Sequence, residues 1–405
     1  MKRGRWKSVL AASVLAAVLA SVAATASSAG RPTGVAASKN HTVKVGVIYS
    51  RSGLLSAYGA EYIQGLRLGL RYVTKGTNTV KGHKIEFTLV DDAGDPAKAV
   101  SAAKDLIGQG YKIIAGTVSS GVALQLAPLA QQNKVLYISG PAASDAITGL
   151  NRNTFRSGRQ TYQDVLTAAS FLGKDVGRKI VVFAQDTAFG QGNFVAVNAV
   201  LGGKGHTVSR TLVPLSATDF TPFAQQVKNA RPDLLFVAWA GTTAPAMWRA
   251  LDQQGVFDAT KVVTGLAERA TWTTFGDAAT KIQFLSHYVY TAPKNPVNDW
   301  LVKTMRRSGR GQLPDLFTPD GFAAAQMIAR AVDQGGGNDV DKMISALEGW
   351  QFLAPKGKQR IRPQDHAMTQ PMFQVRLQKS GSRFVPVVLK TVSAGNTQPP
   401  LRNFP

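Results

Sequence analysis

The 405-residue sequence contains no cysteine. Disulfides, thiolate nucleophiles and cysteine-ligated zinc or iron–sulfur sites are therefore excluded, and so is a lipid-modified N-terminal cysteine. Beyond its first 30 residues the chain also lacks any apolar run of about 18 residues, the length that a membrane-spanning helix needs. The body of the chain is therefore not a membrane bundle, and its 44% hydrophobic content is typical of a globular protein.

Acidic residues are scarce: 24 Asp and Glu stand against 47 Lys and Arg, a formal net charge of +23. Such a charge can indicate nucleic-acid binding. The basic residues are scattered, however, and the densest run, from Arg306 to Arg310, has no interleaved aromatics. We therefore expect no nucleic-acid partner, and instead a solvated surface that is attracted to an anionic cell envelope.

Sequence motifs of catalysis and metal binding are also missing. The chain has no HExxH, GxSxG or Walker A motif, and its five histidines have no metal-ligand spacing. Asp91 and Asp92, with Asp95, could form a metal site, but the loop lacks calcium-loop spacing, which favours loop and helix-cap roles. We predict neither an enzyme nor a cofactor or metal site.

The N-terminus has the pattern of an export signal. A basic start precedes the apolar run Val9–Ala26, and Ala24-Thr25-Ala26 offers a small-residue cleavage site. We assign residues 1–29 to the signal and residues 30–41 to a flexible leader. An uncleaved anchor is the alternative, because the apolar run is long for a signal. An exported chain without cysteine suggests a bacterial protein in the periplasm or outside the cell, associated with the envelope.

The segment between Ile85 and Gly140 alternates short apolar runs with helical periodicity. Its strands are predicted at 85–90, 113–115 and 135–139, and its helices at 97–107 and 121–132. This order predicts a parallel α/β sheet. In such sheets ligands bind beyond the carboxyl ends of the strands, where this segment carries small and polar loops.

A similar α/β rhythm recurs after the polar segment Asn151–Gly158, so the chain is expected to form two lobes. We interpret Asn151–Gly158 as an irregular crossing segment. A further strand is predicted at Phe284–Tyr290, and a late hairpin turns around Gly381. The last residues form a Pro-rich tail.

Two of the polar loops are candidate ligand contacts. Thr117, Ser119 and Ser120 lie just before a helix, whose free N–H groups and dipole favour an anion such as a carboxylate. The alternative is a simple serine N-cap. The loop after the neighbouring strand adds a carbonyl at Ala142 and a hydroxyl at Ser144.

The chain resembles the type I periplasmic binding proteins of ABC transporters, in particular the branched-chain amino acid (leucine/isoleucine/valine) binding family. The resemblance covers roughly residues 43–389. The motifs that carry it are VKVGVI with SGLLSAYGAEYIQGLRLGL, DDAGDPAKAVSAAKDLI, GTVSSGVALQLAPLAQ, YISGPAASD, DTAFGQG, TDFTPFAQQVK and PDLLFVAW.

The resemblance implies two Rossmann-like α/β lobes joined by a three-stranded hinge, with the ligand in the cleft between them. On this basis lobe 1 comprises residues 42–157 and 290–352, and lobe 2 comprises 158–289 and 353–392. Residues 393–405 form the tail. It also implies a monomer that closes on a small ligand and docks on an ABC permease.

The resemblance further implies ligand contacts in the first lobe. Ser120, or Ser119 in the alternative register, matches the serine that holds the ligand's α-carboxylate. The carbonyl of Ala142 and the hydroxyl of Ser144 match the groups that hold its α-ammonium. Tyr58 matches the aromatic residue that covers the ligand side chain.

In the second lobe Glu268 matches the acidic partner of the ammonium; its alternative role is a surface ion pair with Arg269. Phe189 stands where the family has a tyrosine, and Trp239 begins a turn that lacks the usual tyrosine pair. This wall is therefore less polar than in the family. It suits an apolar amino acid, or a ligand such as an aromatic acid, an amide or urea. A sensor domain without transport is a further alternative.

Overall fold

The computed structural model describes residues 41–172, 176–308 and 312–405. The predicted export signal, and the leader up to residue 40, lie outside the described residues. Among the described residues, no helix has both the length and the apolar character that crossing a membrane requires.

The first lobe is built on a six-stranded sheet, and its strands are parallel except for the short edge strand β2. The strands are β1 (His41–Tyr49), β2 (Thr79–Val80), β3 (His83–Asp91), β4 (Ile113–Gly116), β5 (Leu136–Ser139) and β6 (Thr154–Arg156), in the order β2-β3-β1-β4-β5-β6. The helices between them are α1 (Ser56–Val73), α2 (Pro96–Gly108) and α3 (Ser120–Gln132). The predicted strands and helices of this segment are all present, and β6 lies in the segment that we expected to be irregular.

The second lobe continues the α/β alternation. Its helices are α4 (Thr161–Ala169), α5 (Ala188–Val200), α6 (Thr221–Ala230), α7 (Ala244–Gln253) and α8 (Val256–Ala259). Its parallel strands are β7 (Lys179–Gln185), β8 (Thr207–Val213), β9 (Leu234–Ala238), β10 (Lys261–Gly265) and β11 (Ile282–Ser286). The strand predicted at Phe284–Tyr290 is wrong at its end, because the Ser286 hydroxyl donates to the Tyr288 carbonyl where the chain turns away from the sheet.

The chain then returns to the first lobe and crosses once more to the second. The returning elements are α9 (Pro296–Arg307), α10 (Thr318–Gly335), α11 (Val340–Leu347) and a small sheet of β12 (Gln351–Ala354), β13 (Gly357–Ile361) and β14 (Met368–Thr369). The hairpin β15 (Met372–Ser380) and β16 (Arg383–Val392) completes the second sheet, in the order β16-β15-β11-β10-β9-β7-β8. Within the described ranges the chain thus passes between the lobes three times, and the predicted class of two α/β lobes is confirmed.

Burial explains why these strands form. The residues of β4, β5 and β9 are all buried, as expected for parallel strands that are covered by helices on both faces. Ile361 and Met368 of the small sheet pack into the core of the first lobe, whereas the sequence-based boundary assigned residues 353–392 to the second.

Helices α1 and α10 cross closely because glycines lie at their contact. A Cβ atom at Gly65 would lie 1.8 Å from the Thr318 carbonyl oxygen, and one at Gly321 would lie 1.9 Å from that of Tyr62. We expect Gly65→Ala to lower the free energy of unfolding by about 1–3 kcal/mol, because the two backbones must separate. Chemical denaturation measures this change.

Gly108→Ala in α2 is the matched control, because an added Cβ there meets no atom within 4 Å. It should be neutral, or stabilising by up to about 1 kcal/mol, since alanine favours the helix. Equal unfolding midpoints for Gly65→Ala and the unaltered protein would contradict the role assigned to the glycine contact.

Candidate functional site

A cavity of about 460 Å³ lies between the two lobes at the carboxyl ends of their strands. Six of the eight predicted ligand contacts line it: Tyr58, Ser119, Ser120, Phe189, Trp239 and Glu268. Ala142 and Ser144 are not among its lining residues. The cleft is closed over the cavity, because the Gly241 amide of the second lobe donates to the Tyr58 hydroxyl (3.2 Å) and the Thr242 amide donates to the Leu54 carbonyl (3.2 Å).

The N-terminus of α3 forms the polar wall of the first lobe. Ser119 is the N-cap, and its hydroxyl accepts from the Val122 amide at 3.4 Å. Ser120 and Gly121 follow and line the cavity. The first N–H groups of a helix have no intrahelical acceptor, so their partial positive charge faces the cavity and suits a carboxylate. The cap role and the anion role of this loop are therefore compatible.

The loop that carries Ala142 and Ser144 is occupied by contacts within the protein. The Ala142 carbonyl accepts from the buried Arg156 guanidinium at 2.6 Å, and the Ser144 carbonyl accepts from it at 3.2 Å. The Ser144 hydroxyl accepts from the Ala146 amide at 3.3 Å, and the Ser120 hydroxyl accepts from the Ser144 amide at 3.1 Å. These two residues thus shape the first-lobe wall from behind.

Glu268 follows β10 and lines the cavity with a partly unsatisfied carboxyl group. Its Oε2 atom is buried and has no hydrogen-bond partner within the described part of the chain. Burial raises the pKa of Glu268 and the nearby Asp315 raises it further, whereas hydrogen bonds from its own backbone and from the Tyr58 hydroxyl lower it. Arg269 pairs with Asp315 at 3.3 Å, so the surface ion pair between Glu268 and Arg269 is not formed. A ligand cation beside Glu268 would satisfy this carboxylate.

Glu61 of the first lobe is a second buried carboxyl group near Glu268, although it does not line the cavity. It accepts from the Phe317 amide at 3.0 Å, and burial raises its pKa, as does the charge of Asp315. Burial also raises the pKa of Tyr58. Its hydroxyl therefore stays protonated and acts as a neutral hydrogen-bonding group.

The remaining wall is apolar and aromatic. Phe189 and Trp239 line it together with Phe236, Trp248 and Phe275. The Trp239 indole N–H donates to the Thr243 hydroxyl at 3.0 Å, so its polar atom is satisfied within the protein. The wall accordingly presents ring surfaces, which suit the apolar body of a ligand.

Three charged residues that line the cavity were not identified as ligand contacts from the sequence: Arg159, Asp164 and Asp186. Arg159 lines it beside Asp164, with Nε 3.2 Å from Oδ2, and also donates to the Pro141 carbonyl at 3.1 Å. Burial raises the pKa of Asp164 to about 6, and the charge of Arg159 opposes this rise. Arg159 and Asp164 come just after the crossing segment Asn151–Gly158, whose sequence has no helical or strand periodicity. Only the position of that crossing could have indicated them.

The aspartates considered for a metal site hold the loops of the first sheet. Asp91 accepts from the Arg51 amide at 2.9 Å, and Asp92 accepts from the Ser50 hydroxyl at 2.6 Å. Asp95 caps α2, as predicted, by accepting from the Ala97 amide at 2.7 Å. Among the described residues, no group of three or more potential ligands could hold a metal ion.

Comparisons with known proteins agree with this fold. A family model described as periplasmic binding protein matches residues 42–382. The Leu/Ile/Val-binding protein homolog 3 of Brucella melitensis is 26% identical over 310 residues, which cover 76% of this chain and 83% of that protein.

Solved structures extend the likeness. An ABC-type branched-chain amino acid transporter structure from Rhodopseudomonas palustris is 32% identical, covers 89% of this chain and 99% of that one, and has a TM-score of 0.72. A solute-binding protein from R. palustris BisB5, in complex with 3,4-dihydroxybenzoic acid, is 25% identical, with a TM-score of 0.78 and coverage of 87% and 98%. The chain belongs to the periplasmic binding protein family, whose members serve ABC transporters.

Proposed function

We propose that the protein is the extracytoplasmic substrate-binding protein of an ABC importer and that it binds a small apolar amino acid. One observation supports this most directly: a helix N-terminus suited to a carboxylate and an unpartnered buried carboxylate oxygen on Glu268 line the same cavity. A ligand with both a carboxylate and an ammonium satisfies both groups, and its side chain meets the aromatic wall.

Ligand binding would favour the closed cleft because its contacts come from both lobes. Ser119 and Ser120 belong to the first lobe, and Glu268 and Trp239 belong to the second. The ligand adds to the contacts that Tyr58 already makes with Gly241 across the cleft. A ligand shifts such an equilibrium by its differential affinity for the closed form, and a permease would recognise that form.

An aromatic acid is the second candidate. The Ala142 carbonyl, expected to hold an ammonium, is already bound by Arg156, whereas Arg159 offers a cation near the cavity. A relative of similar fold has been solved with 3,4-dihydroxybenzoic acid. Amides, urea and a purely sensory role remain further alternatives, but no described contact favours them.

A thermal-shift screen tests the proposed function. It compares leucine, isoleucine, valine and phenylalanine with their deaminated acids and with benzoate and hydroxybenzoates. We expect an apolar amino acid to raise the unfolding midpoint and to bind with micromolar affinity, roughly −8 kcal/mol. If none of the amino acids or acids stabilises the protein, the proposal fails. If only aromatic acids stabilise it, the second candidate replaces the first.

Ser120→Ala and Ser144→Ala are expected to weaken ligand binding without unfolding the protein. Ser120→Ala removes the hydroxyl that accepts from the Ser144 amide, and Ser144→Ala removes the hydroxyl that accepts from the Ala146 amide. Both changes loosen the loop that shapes the carboxylate site. A lost hydrogen bond of this kind costs about 0.5–1.5 kcal/mol, or a few-fold to roughly tenfold in Kd. Calorimetry with the best ligand measures the loss of affinity, and Ser209→Ala, at an exposed position of β8, is the control. Unchanged affinity in both variants would place the site elsewhere.

A further inference from the structure

A second concave surface lies on the first lobe, between α1 and α9. It encloses about 870 Å³, and we call it the arginine groove because Arg51, Arg67, Arg71 and Arg307 line it. The guanidinium of Arg51 lies 4.0 Å from Asp91, and that arginine is 70% exposed. No carboxylate is among the residues that line this groove.

The positive charge of the groove continues along α9. Arg67 and Arg71 lie one turn apart on α1, and Arg306 and Arg307 end α9. Lys303, Arg306 and Arg307 line a neighbouring depression on the other side of α9. Within the residues that the structure describes, none of these five side chains forms an ion pair, and all five residues are exposed. The charge is therefore available to an external anion.

The chemistry of the groove fits phosphate groups better than a protein partner. Guanidinium groups bind phosphate oxygens in a bidentate manner. A protein interface normally has an apolar centre with exposed anchors. None of the exposed large hydrophobic side chains of the described chain lines this groove. Of its two aromatic residues, Tyr49 is buried, and Trp300 packs against Tyr72 with 5.0 Å between ring centroids.

We propose that the arginine groove binds the phosphate groups of anionic membrane lipids and so holds the protein electrostatically at a membrane surface. The net charge of +23 attracts the whole molecule to such a surface, and the groove orients it with α1 and α9 toward the lipids. The cleft is lined by other residues, so this attachment is independent of ligand binding.

Sedimentation of the full chain with vesicles tests the proposal. Vesicles of one part phosphatidylglycerol to three parts phosphatidylcholine are compared with pure phosphatidylcholine, which reports any binding by the apolar run Val9–Ala26. We expect R67Q/R71Q/R306Q/R307Q to bind the anionic vesicles at least about tenfold more weakly than the unaltered protein. We also expect salt to release the unaltered protein, since the Debye length falls from about 10 Å at 0.1 M to 3 Å at 1 M.

The matched control removes the same charge from the second lobe through R210Q/R249Q/R376Q/R383Q, four exposed arginines. This control variant should bind the anionic vesicles with an affinity within about twofold of that of the unaltered protein. Equal losses in the two variants, or equal binding of the unaltered protein to neutral and anionic vesicles, would overturn the proposal. Binding to poly-glutamate but not to anionic vesicles would overturn it in favour of an acidic protein partner. Both variants must keep the unfolding midpoint and the ligand-induced shift of the unaltered protein.

Discussion

Replacement of Lys356 by methionine is expected to lower the free energy of unfolding by about 3–5 kcal/mol. The Lys356 ammonium pairs with the Asp320 carboxylate and donates to the Gln370 side-chain oxygen at 2.9 Å, and the side chains of Lys356 and Asp320 are both fully buried. They join the turn between β12 and β13 to the start of α10, beside the crossing segments. Without the ammonium, the Asp320 carboxylate loses its direct ion-pair partner in an interior where each charge is costly.

The stability lost in Lys356→Met should increase with pH. Burial raises the pKa of Asp320, and Lys356 partly opposes this. Without Lys356 the folded-state pKa rises further above the unfolded value. A carboxyl group whose pKa is higher in the folded than in the unfolded state stabilises the fold in its protonated form. This contribution is complete below the unfolded-state pKa and is lost as the pH rises through the folded-state pKa. The deficit of Lys356→Met should therefore be larger near pH 8 than near pH 5.

Two controls identify the buried pair as the cause. The double variant Asp320→Leu/Lys356→Met should recover much of the stability, because no unpaired charge remains. Lys84→Met, which breaks an exposed pair with Glu86 at 2.7 Å, should leave the midpoint unchanged within error. Thermal and urea unfolding measure all three variants. A single variant as stable as the unaltered protein, or a double variant less stable than the single, would contradict the prediction.

Glu268→Gln is expected to weaken binding of an apolar amino acid by about 2 kcal/mol or more, roughly thirtyfold in Kd. The buried Oε2 atom has no partner within the described residues, and in the proposed complex it faces the ligand ammonium. Glutamine has nearly the same shape but no charge. Calorimetric titration of the purified variant measures the loss.

The deaminated acid of the same ligand is the internal control. It has the carboxylate and the apolar body but no ammonium, so Glu268→Gln should leave its affinity unchanged or improve it, since a buried negative charge is removed. Glu86→Gln, on the exposed face of β3, controls for net charge. If the substitution affects the amino acid and the acid equally, Glu268 is not the ammonium partner.

The regular elements of both lobes could be predicted because their signals are local. Buried parallel strands such as β4 and β5 are continuous apolar runs, and Asp95 followed by Pro96 marks the start of α2. The small sheet β12–β14 was not predicted. Its strands are short and their burial alternates irregularly, and they are stabilised by packing on α10 rather than by their own pattern.

The candidate site was predictable in part for the same reason. Ser119 and Ser120 were identified because a polar loop between a strand and a helix is visible in the sequence, and Tyr58 and Glu268 came from the resemblance. The contact made by Ala142 was not predictable, because its carbonyl is taken by Arg156, 14 residues along the chain. Arg159 and Asp164 had no local signal at all.

The sequence by itself determined the α/β class, the two lobes, the absence of cysteine chemistry and the polar loop at the start of α3. These features depend on the order of apolar and polar residues over short stretches, which secondary structure follows directly. Only the tertiary structure decided which polar groups satisfy one another, which carboxylate oxygen stays unpartnered in the cleft and which arginines share a groove. Those outcomes depend on contacts between residues far apart in the chain, such as Lys356 with Asp320 or Tyr58 with Gly241, and no local pattern encodes them.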